Sequence, residues 1–252
     1  LSTTNFHPLP TRKQNVMTRL RNADILYFDP PVSYIAPIKD KRCTKRLFAR
    51  WEKADRPQEN LTVYQLPPVL PFYNQHRWVN HLNQKRQAAF IKKKMQEHGF
   101  GADTILWCYS PSACDIVQHI PHQKLVYDCV DRHSAYKGHI DAGVVDGMER
   151  ELAGHADMVF STAIGLHETL QKYNANAQMI PNGAAYEVFS RVQTEKESLP
   201  CPKEMKTLPH PIYGFVGMLQ ECIDYALIEA LAKAQPNATI FLIGRTLPGV
   251  NL

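Results

Sequence analysis

Short apolar runs alternate with longer amphipathic stretches along this chain, a pattern typical of strand-helix-strand units that build a parallel sheet. Strands are predicted at 23 to 28, 61 to 66, 104 to 109, 124 to 129, 157 to 162 and 177 to 182. Helices are predicted near 11 to 22, 75 to 98, 111 to 118, 145 to 155 and 164 to 173. The longest helix has an imperfect apolar stripe that includes Trp78, Val79 and Leu82, and Gly99 is expected to end it.

The alternation fails between about 190 and 211, where charged residues and prolines predict a linker. A new β-α-β unit is predicted from an apolar run at 212 to 219, a helix at 223 to 234 and a strand at 238 to 244. A domain of this type normally needs about 100 residues or more to close its core. The predicted organisation is therefore an N-terminal domain at 1 to 189, a linker at 190 to 211 and an incomplete second domain at 212 to 252.

The composition is that of a globular protein. The chain has 252 residues, 44% of them apolar, which suffices for one large core or two modest ones. The mean hydropathy is -0.35 and no run of eighteen apolar residues occurs, so no membrane-spanning helix is predicted. The six cysteines lack the spacing of a disulfide scaffold, which favours a reducing cytosol. The opening at Leu1 resembles the end of a strand, which suggests a fragment and leaves a removed signal peptide open.

Positive charge is concentrated in three stretches, within a net charge of +5. They are TRKQNVMTRLR, KDKRCTKRLFARWEKADR and QKRQAAFIKKKMQ, with four, eight and five cations. Such stretches attract polyanions, among them nucleic acid, anionic lipid headgroups and phosphorylated substrates, although any one of them is more often a solvated helix face. Aromatic residues are not interleaved with the lysines as stacking platforms for nucleic acid require, so a nucleic-acid partner is not predicted.

Ionisable residues gather at the end of the strand predicted at 124 to 129. Asp128, Asp131, Arg132 and His133 follow one another there, and ligands of open parallel sheets bind at the carboxyl ends of strands. Two carboxylates beside an imidazole can bind sugar hydroxyls or act in proton transfer. The structural alternative is that Asp131 caps a turn while Arg132 pairs on the surface. The Asp-x-x-Asp spacing does not match the Asp-x-Asp set that holds a divalent cation, so no metal is predicted.

Two further loops are expected to reach the same edge. The first carries Asn5, His7, Arg12 and Gln14 as candidate binding residues before or within the first helix. The second carries Ser110, a favourable N-cap residue, before a proline. Capping and packing are the alternative roles for each of them. The signatures of P-loop kinases, α/β-hydrolases, zinc proteases and dinucleotide enzymes are absent from the sequence.

Three segments resemble family 4 of the GT-B glycosyltransferases. The first is IPNGAAYEVF at 180 to 189, which is similar to the Ile-Pro-Asn-Gly-Val-Asp-x-x-x-Phe segment that closes the family's N-terminal domain. The second is MERELAGHADMVFSTAIGLHETL, similar to the family's helix-strand-helix with Ala-Asp before the strand. The third is YGFVGMLQECIDYALIEALAKAQPNATIFLIG, similar to the first β-α-β unit of its nucleotide-sugar domain. The closest resemblance is to bacterial teichuronic acid and cell-surface polysaccharide glycosyltransferases, which share LPTRKQ-like and YDxVD-like segments.

This resemblance implies an α/β fold of GT-B type and retaining transfer of a sugar, most often from a UDP-sugar, to a glycan or lipid-pyrophosphate-linked acceptor. It implies acceptor binding by the N-terminal domain, with Asp131 and His133 at the reacting hydroxyl and Asp128 beside them. It implies donor contacts at Asn182, Gly183 and Gly217. Donor phosphate would take the acceptor proton, so no cofactor is expected. The enzyme would be cytoplasmic, with its basic stretches on the inner face of an anionic membrane.

The sequence departs from the family pattern at three places. Arg132 stands where a second acid is common, and Gly217 is followed by Met218, Leu219 and Gln220 instead of a nearby cation. The acidic donor motif of the family would lie beyond residue 252, so this chain is expected to be inactive by itself. A GT-B-fold sugar-nucleotide epimerase and a non-catalytic anionic-surface-binding domain are the alternative functions.

Overall fold

The chain divides into two compact units, Leu1–Gly183 and Ala184–Leu252, and the described residues of the first unit form seven strands and their connections. The computed structural model describes residues 1–8, 10–41, 43–48, 53–136, 138–195 and 198–246. Its strands are β1 Ile25–Asp29, β2 Asp55–Gln58, β3 Leu61–Gln65, β4 Ile105–Cys108, β5 Lys124–Cys129, β6 Met158–Ser161 and β7 Ala177–Met179. Six of the seven lie where a strand is predicted. The exception, β2, contains Pro57 and lies at a sheet edge, where proline is tolerated.

The strands form two sheets with parallel pairing at their centres. The first has the order β1-β3-β2, with β2 antiparallel to β3, and the second has the order β4-β5-β6-β7, parallel throughout. Leu1 and Ser2 lie between them, because the Leu1 ammonium donates to the Trp107 carbonyl at 2.6 Å and the Ser2 N–H donates to the Phe28 carbonyl at 3.0 Å. A cavity of about 600 Å³ separates the remainder of β1 from β4.

Helices cover these sheets. They are α1 Arg12–Met17, α2 Ala36–Lys39, α3 Cys43–Leu47, α4 Arg77–Glu97, α5 Ala142–His155 and α6 Ile164–Leu170. The predicted helix at 111 to 118 is instead two 3₁₀ turns, Pro111–Asp115 and Val117–His119, with i to i+3 bonds such as Ala113 N–H to the Ser110 carbonyl. The Asp141 side chain accepts from the Val144 N–H and caps α5. The helix therefore begins at Ala142, three residues before the predicted start at 145.

The buried face of α4 differs from the predicted apolar stripe. Trp78 and Leu82 are exposed, and the buried positions include the amides Asn80, Asn83 and Gln87. Each amide binds the chain that packs on the helix; Asn83, for example, accepts from the Leu70 N–H at 2.9 Å and donates to the Leu70 carbonyl at 3.0 Å. The prediction is confirmed at Val79, which is buried, and wrong at Trp78 and Leu82, because amides that bind a neighbouring backbone can occupy a buried face at little cost.

The second unit begins with two short helices, α7 Tyr186–Phe189 and α8 Arg191–Thr194. It continues with β8 Ile212–Val216, α9 Tyr225–Ala234 and β9 Thr239–Ile243, and β8 pairs with β9 in parallel. The β-α-β prediction is confirmed. Within the described part of the chain, no helix is both long and apolar enough to span a bilayer.

Candidate functional site

A buried ion pair occupies the carboxyl edge of the sheet. Asp128 at the end of β5 is 0% exposed, and the Arg12 guanidinium donates to its two oxygens through Nε at 3.3 and 3.4 Å. The same guanidinium donates through Nη1 to the carbonyls of Ile180 and Pro181, at 2.9 and 3.3 Å. Arg12 therefore joins the first helix, the end of β5 and the segment after β7.

Burial and charge act against each other at this pair. Burial raises the pKa of Asp128, and the charges of Arg12 and Lys13 partly oppose that rise. Burial likewise lowers the pKa of Lys13, whereas Asp131 and Asp128 favour its ammonium form. Sequence reasoning missed Lys13, which is buried beside Asp128 although it belongs to a stretch interpreted as basic surface.

The first loop is held by Gln14. Its Oε1 accepts from the Thr11 N–H at 2.8 Å, and its Nε2 donates to the Asn5 carbonyl at 2.6 Å, so this predicted binding residue is engaged within the loop. The Asn5 Oδ1 atom is buried and has no hydrogen-bond partner in the described residues. His7 lies at the surface, with Nε2 2.9 Å from Asp55 Oδ2.

Asp131 and His133 follow β5, where the sequence places them. Asp131 is exposed and His133 is half-buried at the start of a short 3₁₀ turn. Burial lowers the pKa of His133, with Asp131 opposing the change, so the imidazole is neutral at neutral pH. A neutral imidazole can accept a hydrogen bond from a hydroxyl group.

A pocket of about 200 Å³ opens beside His133. The predicted residues that line it are Ser110 and His133, and the Ser110 and Ser112 hydroxyl oxygens lie 2.8 Å apart. Its polar lining also comes from residues that the sequence did not single out, which are Tyr73, Asn74, Asn83, Gln84 and Gln87. The spacing of amides at 80, 83, 84 and 87 on one helix is the signal that could have found them.

Two predicted donor residues belong to the first unit and the third, Gly217, belongs to the second. Asn182 and Gly183 are exposed at the end of the first. In the second, the Gly217 N–H donates to the Ile243 carbonyl at 2.9 Å and extends the β8–β9 ladder. Contact with a donor through that N–H would require this bond to open.

Among the residues that the structure describes, one further cluster contains possible metal ligands, namely Cys114, Asp115 and Glu151. Arg77 Nη2 binds both carboxylates, at 2.8 Å from Asp115 and 2.7 Å from Glu151. Burial also raises the pKa of the Cys114 thiol, which keeps it protonated. An ion-pair network accounts for this cluster.

Comparison with known proteins places the fold. No protein-family model and no curated protein sequence matches the chain. Among solved structures it is similar to sucrose-phosphate synthase from Thermosynechococcus elongatus, with a TM-score of 0.51 and 11% identity over 92% of this chain. The fold is of the GT-B type. The predicted fold class is thereby confirmed, and the chain spans 65% of that synthase's length.

Proposed function

We propose that this chain is the acceptor-side part of a retaining glycosyltransferase that moves a sugar from a UDP-sugar to a glycan or lipid-pyrophosphate-linked acceptor. The observation that carries the proposal is the carboxyl edge of a GT-B-type sheet, where the Arg12–Asp128 pair lies at the end of β5 and Ser110 and His133 line one pocket. The resemblance to family 4 and to teichuronic acid glycosyltransferases supports this substrate class.

Asp131 and His133 are proposed to orient the acceptor hydroxyl. The exposed carboxylate can accept from it, and the neutral imidazole offers a second acceptor. Arg12 and Asp128 stabilise the sheet edge that carries these residues, because each compensates the other's buried charge. Removal of the hydroxyl proton by donor phosphate would then need no other base, no metal and no cofactor.

The test uses the complete protein and a panel of UDP-sugars with lipid-linked acceptors. Transfer that preserves the anomeric configuration by NMR, and that falls at least about tenfold in kcat/KM for Asp131→Asn or His133→Ala, would support the proposal. Interconversion of UDP-sugars without acceptor would favour an epimerase instead. Absence of both reactions across the panel would refute the transferase.

The exposed face of α4 supports attachment to an anionic membrane at the cytoplasmic side. Trp78 and Leu82 are 65% and 45% exposed and lie one turn apart. The helix RWVNHLNQKRQAAFIKKKMQE contains six cations and one acid, Glu97, and four of the cations are exposed: Lys85, Arg86, Lys92 and Lys93. An indole at the interface, with about 1 kcal/mol per cation near an anionic surface, suits peripheral binding.

Vesicle co-sedimentation tests this attachment. The protein should bind phosphatidylglycerol vesicles more tightly than phosphatidylcholine vesicles, and Lys85→Glu/Arg86→Glu should weaken binding at least tenfold, since charge reversal removes about 2 kcal/mol or more. Lys203→Glu/Lys206→Glu in the second unit is the matched charge control. Equal binding to both vesicles, or tighter binding to RNA at the same salt concentration, would refute the membrane surface.

A further inference from the structure

A buried amide acceptor lies in the wall of the pocket beside His133. Gln87 is 2% exposed, and its Nε2 donates to the Pro67 carbonyl at 2.7 Å, which fixes the orientation of the amide. Its Oε1 has no hydrogen-bond partner in the part of the chain that the structure describes. An unsatisfied buried acceptor costs about 1–3 kcal/mol, so a hydroxyl group that reaches this oxygen from the pocket gains by binding it.

The other lining residues restrict the class of that donor. They contribute no lysine, arginine, aspartate or glutamate side chain, so the pocket does not favour a phosphate, a carboxylate or an ammonium group. Burial raises the pKa of Tyr73, which keeps its phenol protonated at neutral pH, while the half-buried imidazole of His133 is neutral. The pocket therefore has polar lining without a charged side chain, and the ammonium of Leu1, which also belongs to the lining, donates to the Trp107 carbonyl.

Shape and polarity point to a single ring that carries hydroxyl groups. Leu66, Val69, Ala113 and Ile116 contribute apolar lining, and hydroxyl and amide groups contribute polar lining. A cavity of about 200 Å³ is large enough for several water molecules and therefore for a small ligand such as one pyranose ring. A pyranose presents C–H groups on its faces and hydroxyls at its rim, which matches this lining.

We propose that this pocket is a monosaccharide subsite in which a ring hydroxyl donates to Gln87 Oε1. Within the proposed function, on which this assignment rests for its biological role, the subsite would hold a sugar unit of the acceptor. Ser110, Ser112 and Asn74 are the remaining specificity-determining contacts. The reacting hydroxyl would then lie towards His133, which is one of the lining residues.

The experiment is ligand-observed NMR on the purified protein with D-glucose, D-galactose, D-mannose and N-acetyl-D-glucosamine as probes. At least one sugar should bind saturably. Gln87→Met, which keeps the side chain's length and removes the acceptor, should weaken it about fivefold or more, the loss of one hydrogen bond. Gln84→Trp at the pocket wall should weaken it about tenfold or more by occupying the space, and remains informative if Gln87→Met fails to fold.

Gln96→Trp is the matched control, because Gln96 is exposed on the same helix and does not line the pocket. The assignment is overturned if no sugar binds saturably, or if neither variant differs from this control. Unchanged affinity in a folded Gln87→Met variant overturns the role of Gln87. If the sugar binds through Gln87 but no nucleotide sugar supports transfer, the subsite stands and the transferase function is rejected. If transfer occurs but Gln87→Met leaves the acceptor KM unchanged, the transferase function stands and the subsite is rejected.

Discussion

Replacing Arg12 by methionine should destabilise the first unit strongly. The Asp128 carboxylate is fully buried, and Arg12 is the guanidinium that donates to it. Removing one partner of a buried ion pair costs about 3–5 kcal/mol, because the other charge is left uncompensated. We expect a loss near the lower limit, about 3 kcal/mol, since the Lys13 charge still favours the carboxylate.

The loss should also depend on pH in a defined direction. Burial raises the folded-state pKa of Asp128 above its usual 3.8, and Arg12 opposes that rise. Without Arg12 the folded-state pKa is higher still, so the variant gains stability from protonation at low pH and loses it as pH rises through the folded pKa. The difference between wild type and variant should therefore grow as pH rises from the carboxyl's usual value of 3.8 towards neutral pH.

Urea unfolding followed by circular dichroism measures both effects. Arg19→Met is the matched control, because Arg19 is exposed and, among the described residues, its side chain donates only to Asn15 four positions earlier, at 2.9 Å. The control should lose less than about 1 kcal/mol. If Arg12→Met matched Arg19→Met, or if its loss were constant across this pH range, the buried pair would not have the energetic role assigned to it.

Three further changes test the sheet and its supporting helix. Tyr127→Phe removes the 2.6 Å bond to the buried Glu149 carboxylate and should cost about 1–3 kcal/mol in urea unfolding. The Lys124 ammonium and the Leu125 N–H lower the pKa of Asp157, so the contribution of this carboxylate to stability is present above its usual pKa and lost as pH falls. Asp157→Asn should therefore weaken the pH dependence of stability below the carboxyl's usual pKa. Leu152→Ala, in the core face of α5, should lower the unfolding free energy by about 2–5 kcal/mol. Conservation of the wild-type value in any of these measurements would contradict the contact concerned.

The carboxyl edge could be predicted because local patterns determine it. An apolar run such as 124 to 129 gives a strand, a parallel sheet sends all such strand ends to one side, and Asp128 therefore had to lie at that edge. Its partner could not be predicted this way. Arg12 is 116 residues from Asp128 and 168 from Ile180 in sequence, and no local periodicity encodes a pairing at that separation.

The face of α4 shows the opposite case, in which a local pattern misleads. Periodicity placed Trp78 and Leu82 inside because both are apolar, yet both are exposed. The helix instead buries amides that bind the backbone at 67 to 70, a segment with several prolines. Proline lacks an N–H and breaks regular pairing, so the carbonyls of such a segment need donors from elsewhere. That need depends on tertiary packing and is invisible in the hydrophobicity of the helix.

Charge divides the candidate site into two chemically different parts. At Asp128 the cations Arg12 and Lys13 face carboxylates, whereas the pocket of Gln87 and Ser110 has a lining without charged side chains. A neutral lining suits hydroxyl groups, since burying an unpaired ion there would cost several kcal/mol, on the order of 3–5. Introducing a positive charge into the pocket with Gln87→Lys should therefore abolish sugar binding and introduce affinity for inorganic phosphate. The same NMR titration measures both. Retained sugar binding in that variant would show that the neutrality of the pocket does not determine its ligand.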